Sequence, residues 1–315
     1  MTLTIGVDVG GTKVAGGVVD PDGKVIARTR RDTPADDVPK IRDIICEVVV
    51  GLARQHPVRA VGIGAAAWID AAGATVLFAP NLAWKDEPLR DYVSAAVALP
   101  VVVENDANAA AWAEFRCGAA EHADDSMVMF TVGTGIGGGI VFGGELVRGA
   151  HGVAAELGHI QVVPDGRPCG CGRRGCLEQY ASGQALARYA REAARRDPST
   201  ASALLNSAGG DPDAITGVMV TAAARVGDPV SRSALADIGH WLGRGLADMV
   251  QILDPEVLVV GGGVIEAGDL LLGPARSTYI TELARRSKFP VAEIRPAELG
   301  NDAGMVGAAD LARRL

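Results

Sequence analysis

Apolar positions follow two rhythms along this chain. Leu3 to Val9 is a dense, β-branched run that turns at Gly10-Gly11 and returns through Val14 to Val19, a strand–turn–strand signal. Asp22-Gly23 makes the next turn, and Lys24 to Thr29 gives a third strand. Ile41, Ile44, Ile45, Val48, Val49 and Leu52 then fall at helical spacing. Val58 to Gly64 reads as a buried strand, Leu89 to Val97 as a helix, Val101 to Val103 as a short strand and Ala107 to Phe115 as an alanine-rich helix. Strands alternating with helices in this way predict an α/β protein.

The opening pattern returns after Asp124-Asp125. Ser126 to Val132 is a strand, Gly133-Thr134-Gly135 a turn, Gly137 to Phe142 a return strand, and Gly143-Gly144 turns into Glu145 to Arg148. This internal duplication suggests two domains of related topology facing each other. The second half then becomes helical. Tyr180 to Arg196 is expected as one helix ended by Asp197-Pro198. Leu235, Ile238, Leu242, Leu246, Met249 and Val250 form a helical stripe that Asp254-Pro255 breaks. Val257 to Val260 is a strand entering Gly261-Gly262-Gly263, and Ala303 to Arg314 is a closing helix.

Composition narrows the class. At 315 residues and 48% hydrophobic, the chain suits two α/β domains with sizeable cores. A net charge of −8 argues against nucleic acid or a membrane surface as partner. The first strand pattern starts without a basic leader, and no apolar run nears the roughly 18 residues of a membrane span. A soluble cytoplasmic protein is the expectation.

Three of the five cysteines fall within eight residues, as Cys169-Gly170-Cys171-Gly172-Arg173-Arg174-Gly175-Cys176, with His159 ten positions upstream. Three thiolates and one imidazole make a Cys3His set, which closes a tetrahedral zinc site. The site reads as structural, with His159, Cys169, Cys171 and Cys176 as ligands. Zinc would pin the loop so that Glu156 and Glu178, at its two ends, face one cavity. Reduced cysteines in a glycine-rich turn are the rival reading. A disulfide is argued against by the acidic, signal-less chain. Cys46 and Cys117 read as small buried hydrophobes.

Other stretches carry weaker signals. In Asp8-Val9-Gly10-Gly11-Thr12-Lys13, glycines let backbone N–H groups approach phosphate oxygens, Thr12 adds a hydroxyl and Lys13 a charge. The spacing of a Walker A loop is absent, and a plain hairpin turn fits the same residues. Gly133-Thr134-Gly135 is its counterpart in the second half, and two such turns from facing domains could clasp a polyphosphate chain. Gly261-Gly262-Gly263 follows a strand and opens a helix. In Glu104-Asn105-Asp106-Ala107-Asn108 a strand gives way to a helix starting after Asp106, and capping that helix is the structural reading of Asp106.

Glu156-Leu157-Gly158-His159 followed by Cys169-x-Cys171-x4-Cys176-Leu177-Glu178 resembles the signature of the ROK family (repressors, open reading frames, sugar kinases). Within it, the chain is most similar to the bacterial ROK glucokinases, from Asp8 to about Asp310. The resemblance implies two actin-like, ribonuclease H-like α/β domains with a ligand cleft between them. A small domain would cover residues 1–108, completed by a C-terminal helix at 303–315, and a large domain with the zinc loop would cover 109–302. The implied reaction is ATP-dependent phosphorylation of glucose to glucose 6-phosphate. Asp106 would be the general base that takes the 6-hydroxyl proton, and Asn105 would bond neighbouring hydroxyls. Asn81, Glu156, His159 and Glu178 would hold the rest of the sugar. Gly10, Gly11, Thr12, Lys13, Gly133, Thr134 and Gly135 would hold phosphates. Asp8 would help place magnesium through water, and Gly261, Gly262 and Gly263 would lie against the nucleoside.

Two departures from the family pattern bear on sugar choice. Ala66-Ala67-Trp68 stands where many members have Pro-Gly, and Ala155 replaces the usual glycine before the Glu-x-Gly-His motif. The alternatives are a kinase for mannose, fructose or an N-acetylated amino sugar, a glucokinase that uses polyphosphate, and a non-enzymatic sugar-sensing regulator. The long helices of the second half are the expected surface for a homodimer or homotetramer.

Overall fold

The computed structural model describes residues 2–315. In chain order it begins with β1 (Leu3–Val9), β2 (Lys13–Val19), β3 (Val25–Asp32), α1 (Val38–Ala53) and β4 (Val58–Ala65). Three short strands follow, β5 (Trp68–Ile69), β6 (Val76–Phe78) and β7 (Lys85–Glu87), then α2 (Leu89–Val97), β8 (Val101–Asn105) and α3 (Asp106–Cys117). Next come β9 (Met127–Val132), β10 (Ile136–Phe142), β11 (Glu145–Leu146), α4 (Glu178–Ala181), α5 (Gly183–Arg196), α6 (Ser202–Ser207) and α7 (Gly217–Arg225). The chain ends with α8 (Pro229–Leu253), β12 (Val257–Gly261), α9 (Asp269–Glu282), β13 (Glu293–Pro296) and α10 (Ala303–Ala312). No helix among the described residues is long and apolar enough to cross a membrane.

The chain groups into two compact units. One takes the chain through Met127 with Gly139–Ala155 and Ala297–Leu315; the other takes Val128–Gly138 and Glu156–Pro296. The fold is α/β, as expected. The internal duplication is explicit: the two five-stranded sheets have the orders β3-β2-β1-β4-β8 and β11-β10-β9-β12-β13, the same topology twice. The three-stranded sheet β5-β6-β7 had no counterpart in the sequence reading.

In the first unit, β1 pairs antiparallel with β2 and parallel with β4, and β4 runs parallel to β8. The parallel strands therefore end along one edge, with Asp8 beside Gly64 and Ala65 beside Asn105. Loops at the carboxyl ends of parallel strands are where α/β sheets place ligand groups. The two faces of the sheet are covered differently. A Cβ at Gly16 would meet Val48 of α1 at 2.4 Å, while one at the next residue, Gly17, would meet Met305 of α10 at 2.6 Å. Helix α10 lies almost flush on the sheet. Cβ atoms at Gly6 and Gly62 would come within 1.9 Å of the Met305 carbonyl oxygen and 1.8 Å of that of Ala308. Only glycine allows that approach.

In the second unit, α8 starts at Pro229 behind an Asp228 cap that accepts from the Ser231 N–H, and it ends at Asp254 in the left-handed conformation. Gly239 and Gly243 let α9 pack closely, because a Cβ there would stand 2.7 Å from the Leu271 oxygen and 2.4 Å from that of Ala275. The single helix expected over Tyr180 to Arg196 is two. Ser182 is extended (φ −87°, ψ 171°), and its hydroxyl caps α5 by accepting from the Ala185 N–H. Alanine and arginine spacing hid this cap, since a serine inside a periodic run does not interrupt the pattern. Of the stretch Glu145 to Arg148 that follows the Gly143-Gly144 turn, Glu145–Leu146 is strand and Arg148 lies outside the ladder.

Candidate functional site

In the first unit, β8 ends at Asn105 and α3 begins at Asp106. Asn105 is the cap: its Oδ1 accepts the Asn108 N–H at 3.0 Å, and its Nδ2 donates to the Ala67 carbonyl at 3.1 Å. This corrects the capping reading of Asp106, because the capping oxygen comes from one residue earlier. It also shows that Asn105, expected on sugar hydroxyls, is engaged at both ends in holding the chain. Asp106 Oδ1 accepts the Ala107 N–H at 2.9 Å. Its side chain stays partly exposed, yet lies deep enough that burial raises its pKa.

Asp8 is the neighbouring acid. Burial first, and then the charge of Asp106, push its carboxyl up to about 6, against the pull of Lys13. Gly304, in the first turn of α10, faces both; a Cβ there would lie 3.4 Å from Asp8 Oδ1 and 3.8 Å from the Asp106 carbonyl oxygen. A buried carboxylate raised in part by the charge of a second one beside it suits a hard divalent cation, which would relieve the repulsion. The β1–β2 turn closes through Gly10 N–H to the Lys13 oxygen at 2.9 Å, and Thr33 Oγ1 donates to the Gly10 oxygen at 2.8 Å. Asn81 is brought to this turn, since a Cβ at Gly11 would meet the Asn81 Cβ and oxygen, each at 3.3 Å. Asp8 and Lys13 also line a cavity of about 370 Å³ with Arg28, Arg30 and Asp302.

In the second unit, the donor atoms of His159, Cys169, Cys171 and Cys176 all lie within 4.8 Å of one another. Cys171 and Cys176 sulfurs are 3.7 Å apart, and Cys169 Sγ lies 3.5 Å from His159 Nδ1. A tetrahedral zinc with ordinary bond lengths requires edges of about 3.8 Å for S–S and about 3.6 Å for S–N. The residues present thus fit zinc. The loop is shaped for this by Cys169 N–H to the Arg173 oxygen at 2.9 Å and Gly172 N–H to the Cys169 oxygen at 3.0 Å. Gly175 is also required (φ +75°), as a Cβ would strike the Val163 oxygen at 1.7 Å. Burial, then hydrogen bonding with Cys171, pushes the Cys176 thiol up to about 12. Burial also acts to raise Cys171, but hydrogen bonds from the Arg173 backbone and the other two cysteines outweigh it and lower its pKa.

The other ring nitrogen of His159, Nε2, stands 3.8 Å from Glu156 Oε2. The carboxylate thus faces the second ring nitrogen from beyond hydrogen-bond reach, on the side where a partner would orient a ligand imidazole. Glu178 opens α4, and its Oε2 accepts the Ile136 N–H at 3.0 Å. A Cβ at Gly135 would lie 2.2 Å from that same oxygen. Glu178 therefore links the cysteine loop to the Gly133-Thr134-Gly135 turn.

The same turn lines a cavity of about 500 Å³ with Gly263, Gln184 and Thr216. Gly262 (φ +85°) bends β12 toward it; a Cβ there would lie 2.5 Å from the Val132 oxygen. The glycines were readable in the sequence; Gln184 and Thr216, from α5 and the cap of α7, were not, because no local spacing joins them. Ala155, immediately before Glu156, has φ +65°, a backbone state that favours glycine.

The ROK family's sequence profile matches residues 4–315. The glucokinase of Streptomyces coelicolor is 50% identical over 99% of this chain and 98% of its own length. The crystal structure of a ROK family glucokinase from Streptomyces griseus in complex with glucose and AMPPNP is 51% identical, with a TM-score of 0.88 over 99% of this chain and 100% of that one. A ROK hexokinase from Thermus thermophilus is 34% identical, with a TM-score of 0.84 over 99% and 98% of the two chains.

Proposed function

The chain belongs to the ROK family, and on that premise we propose that it is a glucokinase, moving the γ-phosphoryl group of Mg-ATP to the 6-hydroxyl of glucose. The observation that carries the reaction is the state of Asp106. It opens a helix that its neighbour caps, so its carboxylate, with a raised pKa, is not required as the cap. In the reaction Asp106 accepts the 6-hydroxyl proton while that oxygen forms its bond to phosphorus and ADP leaves. A base whose pKa is moved toward neutrality suits this task. Phosphoryl transfer otherwise asks mainly for alignment and charge neutralisation.

Asn105 acts here chiefly as the cap that sets Asp106 in place. Asn81 in the first unit and Glu156, His159 and Glu178 in the second take the remaining sugar hydroxyls. The Gly10-Gly11-Thr12-Lys13 and Gly133-Thr134-Gly135 turns bind phosphates, and the cavity of about 500 Å³ takes the nucleoside against Gly261, Gly262 and Gly263. Magnesium bound with ATP would be placed by Asp8 through water and would neutralise charge on the phosphoryl oxygens. His159, Cys169, Cys171 and Cys176 would hold a structural zinc, which would keep Glu178 in register. We assign the protein to the cytoplasm, which five unbridged cysteines support. We assign self-association, as a dimer or tetramer, to the α8–α9 surface, where Ile252 and Ile280 are exposed.

The test is ADP formation over a panel of hexoses with Mg-ATP. Glucose should give the highest kcat/KM. Faster turnover of mannose, fructose or an N-acetylated amino sugar would overturn the substrate, and no sugar-dependent ADP at all would overturn the kinase reading.

A further inference from the structure

Glu104 is a carboxylate only 2% exposed, at the end of β8. A buried charge needs partners to be tolerated. Its Oε1 accepts the Asn105 N–H at 3.0 Å and Asn108 Nδ2 at 3.1 Å. Its Oε2 accepts Nε of Arg148 at 2.6 Å. The contact to Asn108 also fixes that amide, since the flipped form would set two acceptors face to face. Glu104 therefore grips the residue before Asp106 and the first helical turn after it. Arg148 is itself anchored, because its carbonyl accepts the Ala154 N–H at 3.1 Å and ties off its loop. Gly152 of that loop sits against the chain at Ile69, where a Cβ would be 2.1 Å from the Ile69 oxygen.

We propose that Arg148 is a positioning residue for Asp106, acting through Glu104. The inference rests on the reading of Asp106 as the base. Arg148 acts through Glu104 and not on the reacting atoms; its guanidinium pairs with the Glu104 carboxylate and keeps it turned inward. Without it the buried carboxylate loses its ionic partner and swings toward water. That movement releases the Asn105 N–H and Asn108, and the Asp106 carboxylate loses its fixed bearing. Misplacement of a reacting group by about 1 Å is enough to cost about 100-fold in rate.

Steady-state kinetics of Arg148→Gln and Arg148→Lys, each measured with glucose and Mg-ATP, test this. Arg148→Gln should lose about 10- to 100-fold in kcat, with KM for ATP and zinc content near parental. Methylguanidinium at millimolar concentration should restore part of kcat. Arg148→Lys, which keeps the charge but not the planar fork, should fall between parent and Gln variant, and it carries the test if the Gln variant does not fold. Parental kcat in either folded variant, or a loss that methylguanidinium leaves untouched, overturns the proposal. Asp106→Asn run alongside separates the two readings. If it stays active, the base assignment falls. If it is dead while Arg148→Gln is parental, only the role of Arg148 falls.

Discussion

Asn105, not Asp106, closes the first turn of α3: its Oδ1 takes the Asn108 N–H at 3.0 Å while Asp106 Oδ1 takes the adjacent Ala107 N–H. Cap and base are thereby separable by mutation. Asp106→Asn should leave a folded protein of near-parental stability that still binds glucose and ATP. Its kcat should fall by about 100- to 10,000-fold, the usual range for a lost general base. Asn105→Ala should instead lose about 0.5–2 kcal/mol of stability. An Asp106→Asn variant that keeps more than about a tenth of parental kcat would falsify the assignment.

The donor geometry at His159, Cys169, Cys171 and Cys176 predicts close to one zinc per chain by elemental analysis. Cys171→Ser should lower Tm and weaken glucose binding, because Glu178 follows the metal loop and holds Ile136. Active protein free of bound metal would overturn this.

Ala155 predicts an engineered gain. A residue with a Cβ in the left-handed region is disfavoured by about 1–2 kcal/mol. Glycine gives back about 0.5–1 kcal/mol of that through a freer unfolded chain. Ala155→Gly should therefore stabilise by roughly 0.5 kcal/mol, and Ala155→Val should destabilise by more than about 1 kcal/mol. Denaturant midpoints in the order Gly, Ala, Val, highest first, are expected; any other order removes strain as the explanation.

Asp8 predicts a pH dependence. Its pKa is about 6 when folded, against 3.8 for the free side chain. From about pH 4 to 6 the folded state binds more protons than the unfolded one, so this group's contribution to stability falls as pH rises through that window. The full loss, reached above pH 6, is up to about 3 kcal/mol. Asp8→Asn should accordingly be more stable than the parent at pH 8 and nearly equal to it at pH 4, while turning over poorly. Equal stability of the two at pH 8 would refute the shift.

What could be read in the sequence was what lies close together along it. The Cys3His set, the glycine turns, the Glu104–Asp106 stretch and the doubled strand–turn–strand pattern are local spacings, and the structure contains them. What escaped depends on distant partners or on backbone angles. Spacing does not say that Asn105 wins the cap from Asp106, that Ser182 splits a helix, or that Arg148 reaches Glu104 from a loop 44 positions away. It does not expose Glu114 either. This fully buried carboxylate accepts the backbone N–H groups of Ala119, at 2.8 Å, and of Leu299, at 2.8 Å, and so fastens the approach to α10.

The flush seat of α10 on β1 and β4 has a consequence for biosynthesis. The strands made first are finished by a helix made some three hundred residues later, on the order of tens of seconds at ordinary translation rates. Until then the apolar face holding Gly6 and Gly62 has no cover, whereas Glu156–Pro296 has already been made in full. The unit that starts the chain is thus expected to mature last. Ribosome-bound chains stalled before Ala303 should be cut readily by protease within β1 to β4 while the 156–296 segment resists; equal resistance of both would show that the nascent chain covers this face by other means.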